Sequence, residues 1–461
     1  MGFADRRKRL MSSLKRPLLL WSGGPISRNY PHNLFPYRAD STFMYFFERP
    51  EPNSAALFDP ATGKVTLYLP ERTLDDAVWH GELATFEAER ARHDVDAVRP
   101  VERLEDALKA LKLDTLAVSD ARTTRRARAL TGADLDFDDP LKVGPLEVLE
   151  SIASMRLRKD SAELAQMRET ARITLAAHVE AMKDSAPGVH EQELAGIVDG
   201  IFSTVGCVPA YGTILSVRGE ILHARGHDNV LQAGDIVLLD AGCEAPSGYC
   251  SDVTRCWPVG GPFTAEGGDV YDTVLQANLD AIAAVKPGVR YRDVHRIACR
   301  TVADGLAQMG LLKGSPDALV ESGAHAVFFP HGVGHPIGLD VHDLEAFGDH
   351  VLYPGGRTRS TQFGTRYLRM DLDLAEGMTF TIEPGVYFVP QIIRSAALRA
   401  QFADQVNWSL AEKFLGLNGG RGFGGIRIED DVLCTASGAE VLTVAIPKAR
   451  AEVEALPLLA S

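Results

Sequence analysis

The sequence predicts an α+β protein of two domains: a smaller α/β domain with a mixed sheet, then a larger domain built from two related halves. Three observations carry this expectation. Residues 1–150 alternate short strand-like runs with helical ones. The chain changes character near Met155–Asp160, which divides it into 1–155 and 156–461. Beyond that seam two segments match, with Pro-Gly-Val turns at 187–189 and 287–289 that each lead into a helix. Two copies are too few for a solenoid and point to duplicated halves packed about a pseudo-twofold axis.

In the first domain, Pro17–Trp21, Ala55–Asp59, Lys64–Leu69 and Thr115–Val118 are apolar runs of strand length, and Asp59-Pro-Ala-Thr-Gly63 makes a hairpin of the middle two. Leu104–Leu111 has helical spacing. Arg125, Arg126 and Arg128 form a basic spot that suits a solvated helix face. Asp160-Ser-Ala-Glu163 is a capping box opening a helix lined by Leu164, Met167, Ala171, Leu175 and Val179.

At 461 residues, 45% apolar and 24% charged, the composition is that of a globular protein with an ample core. The net charge of −14 argues against nucleic-acid and anionic-membrane partners. Six cysteines without a CxxC pair suit free thiols in a reducing compartment. After Arg6–Arg9 no apolar signal region follows, and no stretch reaches the ~20 apolar residues of a membrane span. A cytoplasmic location is expected.

The chemistry gathers at His331-Gly-Val-Gly-His335-Pro-Ile-Gly-Leu-Asp-Val-His342 and at four acidic residues, Asp240, Asp252, Glu383 and Glu429, each in a short apolar strand-like run. A buried carboxylate is costly unless it is paired or coordinates a metal. A hairpin through Ala245–Gly248 would bring Asp240 and Asp252 opposite each other, where two ionised carboxylates need a cation or a shared proton. A strand end and a turn cap are the plainer alternative for that pair, as a simple ion pair is for Arg427 and Glu429 on one strand face. Four such anomalies and a histidine-rich loop are most economically explained by one shared centre. Four carboxylates and one imidazole suit hard or borderline divalent ions, in a number that fits two bridged metals.

In order and local context, Asp240, Asp252, His335, Glu383 and Glu429 resemble the ligands of the pita-bread metallopeptidases, which include methionine aminopeptidase, aminopeptidase P and prolidase. The resemblance covers essentially the whole chain, the first half being similar to the creatinase-type domain of the last two. Ile221-Leu-His223, Gly338–Asp343, Gly422–Asp430 and the long stretch between Glu383 and Glu429 look most like prolidase. The loop between Asp240 and Asp252 departs from the family by one extra residue.

The resemblance implies a creatinase-like N-terminal domain before a pita-bread catalytic domain. It implies two divalent ions, Mn²⁺ first, with Co²⁺, Zn²⁺ or Fe²⁺ as alternatives. Asp240 would bind one ion, His335 and Glu383 the other, and Asp252 and Glu429 would bridge them. A bridging hydroxide would attack the carbonyl before proline, with Glu383 moving the proton. His223, His331 and His342 would stabilise the oxyanion, Arg369 would receive the substrate's carboxylate, and Arg427 would orient the neighbouring bridging carboxylate. The implied activity is hydrolysis of Xaa-Pro dipeptides. The alternatives are an aminopeptidase P acting on longer proline-containing peptides and, more remotely, a non-catalytic peptide-binding protein of the same fold. A homodimer is the family expectation. Tyr211 and Tyr249 suit either a proline pocket or core packing.

Overall fold

Apolar runs separated by turn residues build the sheet of the first unit. β1 (Leu18–Trp21) pairs antiparallel with β2 (Ala55–Asp59), and β2 with β3 (Lys64–Leu69). The Asp59 carboxylate accepts from the Ala61 amide at 3.0 Å and the Thr62 hydroxyl at 2.7 Å, which closes the hairpin turn. β4 (Ala97–Pro100) runs parallel to β3 and β5 (Asp114–Thr115) parallel to β1, so the five-stranded sheet, ordered β4-β3-β2-β1-β5, is mixed. The strand expected over 115–118 stops at Thr115, because the Ala117 amide turns away to the Val143 carbonyl at 2.7 Å. The helix expected over 104–111 ends at Leu108. The basic spot lies on the helix Ala121–Thr131, where Arg125 and Arg128 face solvent and Arg126 meets Glu105 at 2.6 Å.

The structure is a computed structural model that describes residues 2–109 and 111–458. By its contacts the chain forms two units, Met1–Leu157 with Leu344–Val351, and Arg158–Asp343 with Leu352–Ser461. The second unit opens with the helix Ser161–Lys183, capped reciprocally by Asp160 and Glu163. Met167 and Ala171 are buried as expected, but Leu164, Leu175 and Val179 are only half-buried. The inward face is rotated onto Thr170, Thr174 and His178, polar groups that hydrophobic spacing does not reveal. Thr174 pairs with Ser251 at 2.7 Å and His178 with the Ala241 carbonyl at 3.0 Å, which ties the helix to the backbone beside Asp240.

The two halves repeat one backbone pattern. The Gly188 amide donates to Leu231 at 2.8 Å and the Leu231 amide to Val189 at 2.9 Å; Gly288 and Leu374, then Leu374 and Val289, do the same, both at 2.8 Å. Short strands follow: β6 (Val208–Pro209), β7 (Ile214–Ser216), β8 (Ile236–Asp240), β9 (Cys243–Glu244) and β10 (Thr254–Pro258) in the first half. In the second come β11 (Thr379–Ile382), β12 (Gly385–Tyr387), β13 (Gly425–Arg427), β14 (Asp430–Cys434) and β15 (Ala439–Val441). They form the sheets β10-β8-β7 and β11-β14-β15 and the ribbons β12-β13 and β6-β9. All six cysteines are free and buried. Among the described residues no helix is long and apolar enough to cross a membrane.

Candidate metal centre

The ten residues given a role by the family resemblance all line one cavity of about 1000 Å³ in the second unit. Asp240 ends β8, but its cross-strand partner in β10 is Thr254, not Asp252. Asp252 precedes β10 in an irregular stretch held against Gly242, where a Cβ would stand 1.8 Å from the Ser251 carbonyl. Glu383 lies one residue past β11, and Glu429 sits in the break between β13 and β14. Asp240 ends its strand as expected, but the expectation that Asp252, Glu383 and Glu429 lie inside strands is corrected. A residue within a strand points normal to its sheet, whereas strand ends and breaks from different sheets can converge on one point.

Glycines bring the histidine loop against β11. A Cβ on Gly334 would meet the Thr381 carbonyl at 2.2 Å, and the Glu383 amide bonds the Val333 carbonyl at 2.8 Å. His335 Nδ1 faces the Pro336 carbonyl at 3.1 Å, an acceptor only, so Nδ1 carries the proton. Its Nε2 lies 3.3 Å from Asp252 and 3.7 Å from Glu383 and is the nitrogen placed to offer a lone pair to a metal. The His342 ring lies against His335 with centroids 4.0 Å apart.

Asp252, His335 and Glu429 offer donor atoms all within 4.8 Å of one another, and all three are buried. Burial, then the charge of Asp240, pushes Asp252 up to about 7. Burial and neighbouring carboxylates likewise raise Glu429 well above the usual carboxylate range, and burial raises Glu383. Carboxylates this crowded and dry must hold protons or a cation. An oxygen-rich set with one imidazole lone pair fits divalent metal ions.

Around these donors runs a network only partly foreseen. Arg427 bonds Asp240 directly and reaches Glu429 only through Thr254: its Nε donates to Thr254 Oγ1 at 2.9 Å, and that hydroxyl donates to Glu429 at 2.6 Å. Direct orientation of Glu429 by Arg427 is thus replaced by a relay. The remaining Arg427 nitrogen meets Tyr387 Oη at 3.0 Å, and Tyr387 meets His331 Nε2 at 2.9 Å. His331 Nδ1 donates to the Gly332 carbonyl at 2.8 Å and lies 3.8 Å from Glu383. Tyr211 Oη lies 2.5 Å from Asp240 and also contacts Asp252, so it belongs to the site. Tyr249 instead bonds Glu163 at 2.8 Å in the core. Tyr387 and Thr254 were missed; their only sequence signal is closeness to Glu383 and Asp252. His223, His342 and Arg369 line the cavity.

The family model described as metallopeptidase family M24 matches residues 165–436, and that of the aminopeptidase P N-terminal domain matches 3–117. The chain belongs to metallopeptidase family M24. It is 34% identical to the human Xaa-Pro dipeptidase over 98% of this chain and 92% of that one. It is also 34% identical to a probable Xaa-Pro aminopeptidase of Aspergillus niger, over 91% and 88% of the two chains. Among solved structures, Pseudomonas aeruginosa aminopeptidase PepP superposes with a TM-score of 0.81 at 30% identity, covering 99% of this chain and 98% of that one. Zn-substituted E. coli aminopeptidase P in complex with product gives 0.81 at 28% identity, covering 100% and 98%. The M24 unit accordingly has the α+β pita-bread fold, and the first unit is of the aminopeptidase P N-terminal type.

Proposed function

We propose that this M24 peptidase hydrolyses the peptide bond before proline, with Xaa-Pro dipeptides as its main substrates. The observation that carries this is the convergence of four carboxylates and the His335 Nε2 in a cavity that Arg369 also lines. The human relative named Xaa-Pro dipeptidase supports the same reading.

Asp240, Asp252, His335, Glu383 and Glu429 would hold two divalent ions, Mn²⁺ being the first candidate. Bound there, such ions supply Lewis acidity that activates water and polarises the scissile carbonyl. The chain's own residues do the rest. Glu383, the least buried of the five, takes the proton of the attacking water and returns it to the proline nitrogen. His223 and His342 line the same cavity and act as donors to the developing oxyanion, whereas both nitrogens of His331 are already engaged, by the Gly332 carbonyl and by Tyr387. Arg369 holds the carboxylate of the C-terminal proline. Proline's tertiary amide has no N–H, so recognition cannot rest on that donor. Six buried free thiols suit a cytoplasmic location, and a homodimer is part of the same proposal.

One observation favours the aminopeptidase alternative. The cavity is at the upper end of the ~300–1,000 Å³ usual for ligand pockets, which leaves room beyond a dipeptide. Rates on Ala-Pro and Ala-Pro-Ala with metal-loaded protein separate the two. Dipeptide cleavage with the tripeptide refused upholds the proposal; efficient tripeptide cleavage transfers it to the aminopeptidase. Cleavage of neither ends both.

A further inference from the structure

Among the described residues, Asp199 is the one carboxylate lining the cavity outside the four clustered ones. It stands on the helix Glu191–Thr204, open to solvent, and no family motif drew attention to it. Thr213 Oγ1 donates to its carboxylate at 2.6 Å, which aims the group without neutralising it. No Lys, Arg or His side chain among the described residues forms an ion pair with it.

Its place relative to the cluster follows from the chain. Tyr211, whose hydroxyl touches Asp240 and Asp252, lies two residues before Thr213, a span of at most ~7 Å. Ile214, the next residue, pairs with Asp240 in the β7–β8 ladder. His227 Nε2 faces the Thr213 carbonyl at 3.0 Å and pins the same stretch from its other side. Asp199 is therefore held by the stretch that joins Tyr211 to β7, without an ion-pair partner among the described residues, in the same cavity as the clustered carboxylates. The cavity's other charged groups outside the cluster include Arg225 and Arg369.

We propose that Asp199 is a specificity-determining residue that selects a positively charged side chain on the residue before proline. The inference rests on the Xaa-Pro reading and adds the substrate class to it. The α-ammonium common to all substrates lies beside the scissile carbonyl, within reach of the clustered carboxylates. A group farther out suits the end of a lysine side chain, whose Nζ stands roughly 6 Å from its Cα by standard bond lengths. Because the pair is solvent-exposed, the selection is modest and salt-sensitive.

The test compares kcat/KM for Lys-Pro and Met-Pro, similar in length and different in charge, on the metal-loaded full chain. Wild type is expected to favour Lys-Pro by about two- to fivefold, as an exposed ion pair allows, and to lose the preference at high salt. Asp199→Asn removes the preference by raising KM for Lys-Pro, with kcat and the Met-Pro parameters unchanged. Asp199→Lys shifts the preference towards Glu-Pro. Equal losses on Lys-Pro and Met-Pro would assign Asp199 to the α-ammonium and overturn the inference. Good cleavage of Met-Pro without a lysine preference would overturn it while leaving the Xaa-Pro reading intact; cleavage of neither dipeptide would remove both.

Discussion

Asp240 and Glu383 occupy equivalent places in the two halves of the M24 unit. Each stands nine residues after the leucine that bonds back to its Pro-Gly-Val turn, since 240 − 231 and 383 − 374 agree. Between leucine and carboxylate each half has a glycine of positive φ, Gly234 at 87° and Gly377 at 88°, and then a strand. The centre is thus assembled from the matching ends of a repeated element. The equivalence does not extend to environment: Asp240 is bound by Arg427 and Tyr211, whereas Glu383 is less buried and faces the cavity. Glu383→Gln should therefore lower kcat by ~10²–10⁴-fold, the usual worth of a positioned proton carrier. Pre-steady-state hydrolysis of Ala-Pro reads it, and an unchanged kcat would remove Glu383 from the proton path.

Arg427 uses all three guanidinium nitrogens, on Asp240, Thr254 and Tyr387. A lysine keeps the charge but not the planar fork. Arg427→Lys should weaken metal binding by about 10–100-fold, the usual effect of disturbing a partner of a metal ligand. Competition with a chelating dye measures this; wild-type affinity would show that the fork is dispensable.

Arg369 lines the cavity and is proposed to hold the substrate's carboxylate. Removing a hydrogen bond to a charged group costs about 1.5–3 kcal/mol, so Arg369→Ala should cut kcat/KM for Ala-Pro by roughly 10–150-fold, chiefly through KM. Ala-Pro-amide, which lacks that carboxylate, should be far less affected by the substitution. Parallel losses on both substrates would dismiss the assignment.

The four acidic residues were legible because buried acids in apolar runs are costly, and His335 because it stands in a histidine-rich loop. The repeat was legible through its turns. Two things were not. The register that pairs Asp240 with Thr254 depends on where β10 starts, two residues past Asp252, and hydrophobic pattern does not mark that start. The relay through Thr254 and Tyr387 joins residues 133 apart in sequence, since 387 − 254 = 133, through a hydroxyl and a phenol that resemble ordinary strand residues. In the long helix, Thr170, Thr174 and His178 face inward because tertiary partners satisfy them, which periodicity cannot foresee.

Burial pushes His295 down to about 3 and His325 down to about 4. Both therefore fold neutral, and the unfolded chain takes up protons first as pH falls. Their contribution is fully present above the unfolded value of ~6.5 and is lost as pH drops towards the folded values, about 2 kcal/mol each by pH 5. The drop in urea midpoint between pH 7 and pH 5 should be smaller in His325→Phe than in wild type. An identical drop would show that this histidine is not buried neutral.

The most direct test of the account is the number of divalent ions per chain at full activity. Chelator-stripped protein is titrated with Mn²⁺ while bound metal and Ala-Pro hydrolysis are followed together. Two ions per chain, with Asp252→Asn and Glu429→Gln each disturbing both, is the expected result. Full activity with one ion per chain, or with none, would contradict a shared two-metal centre.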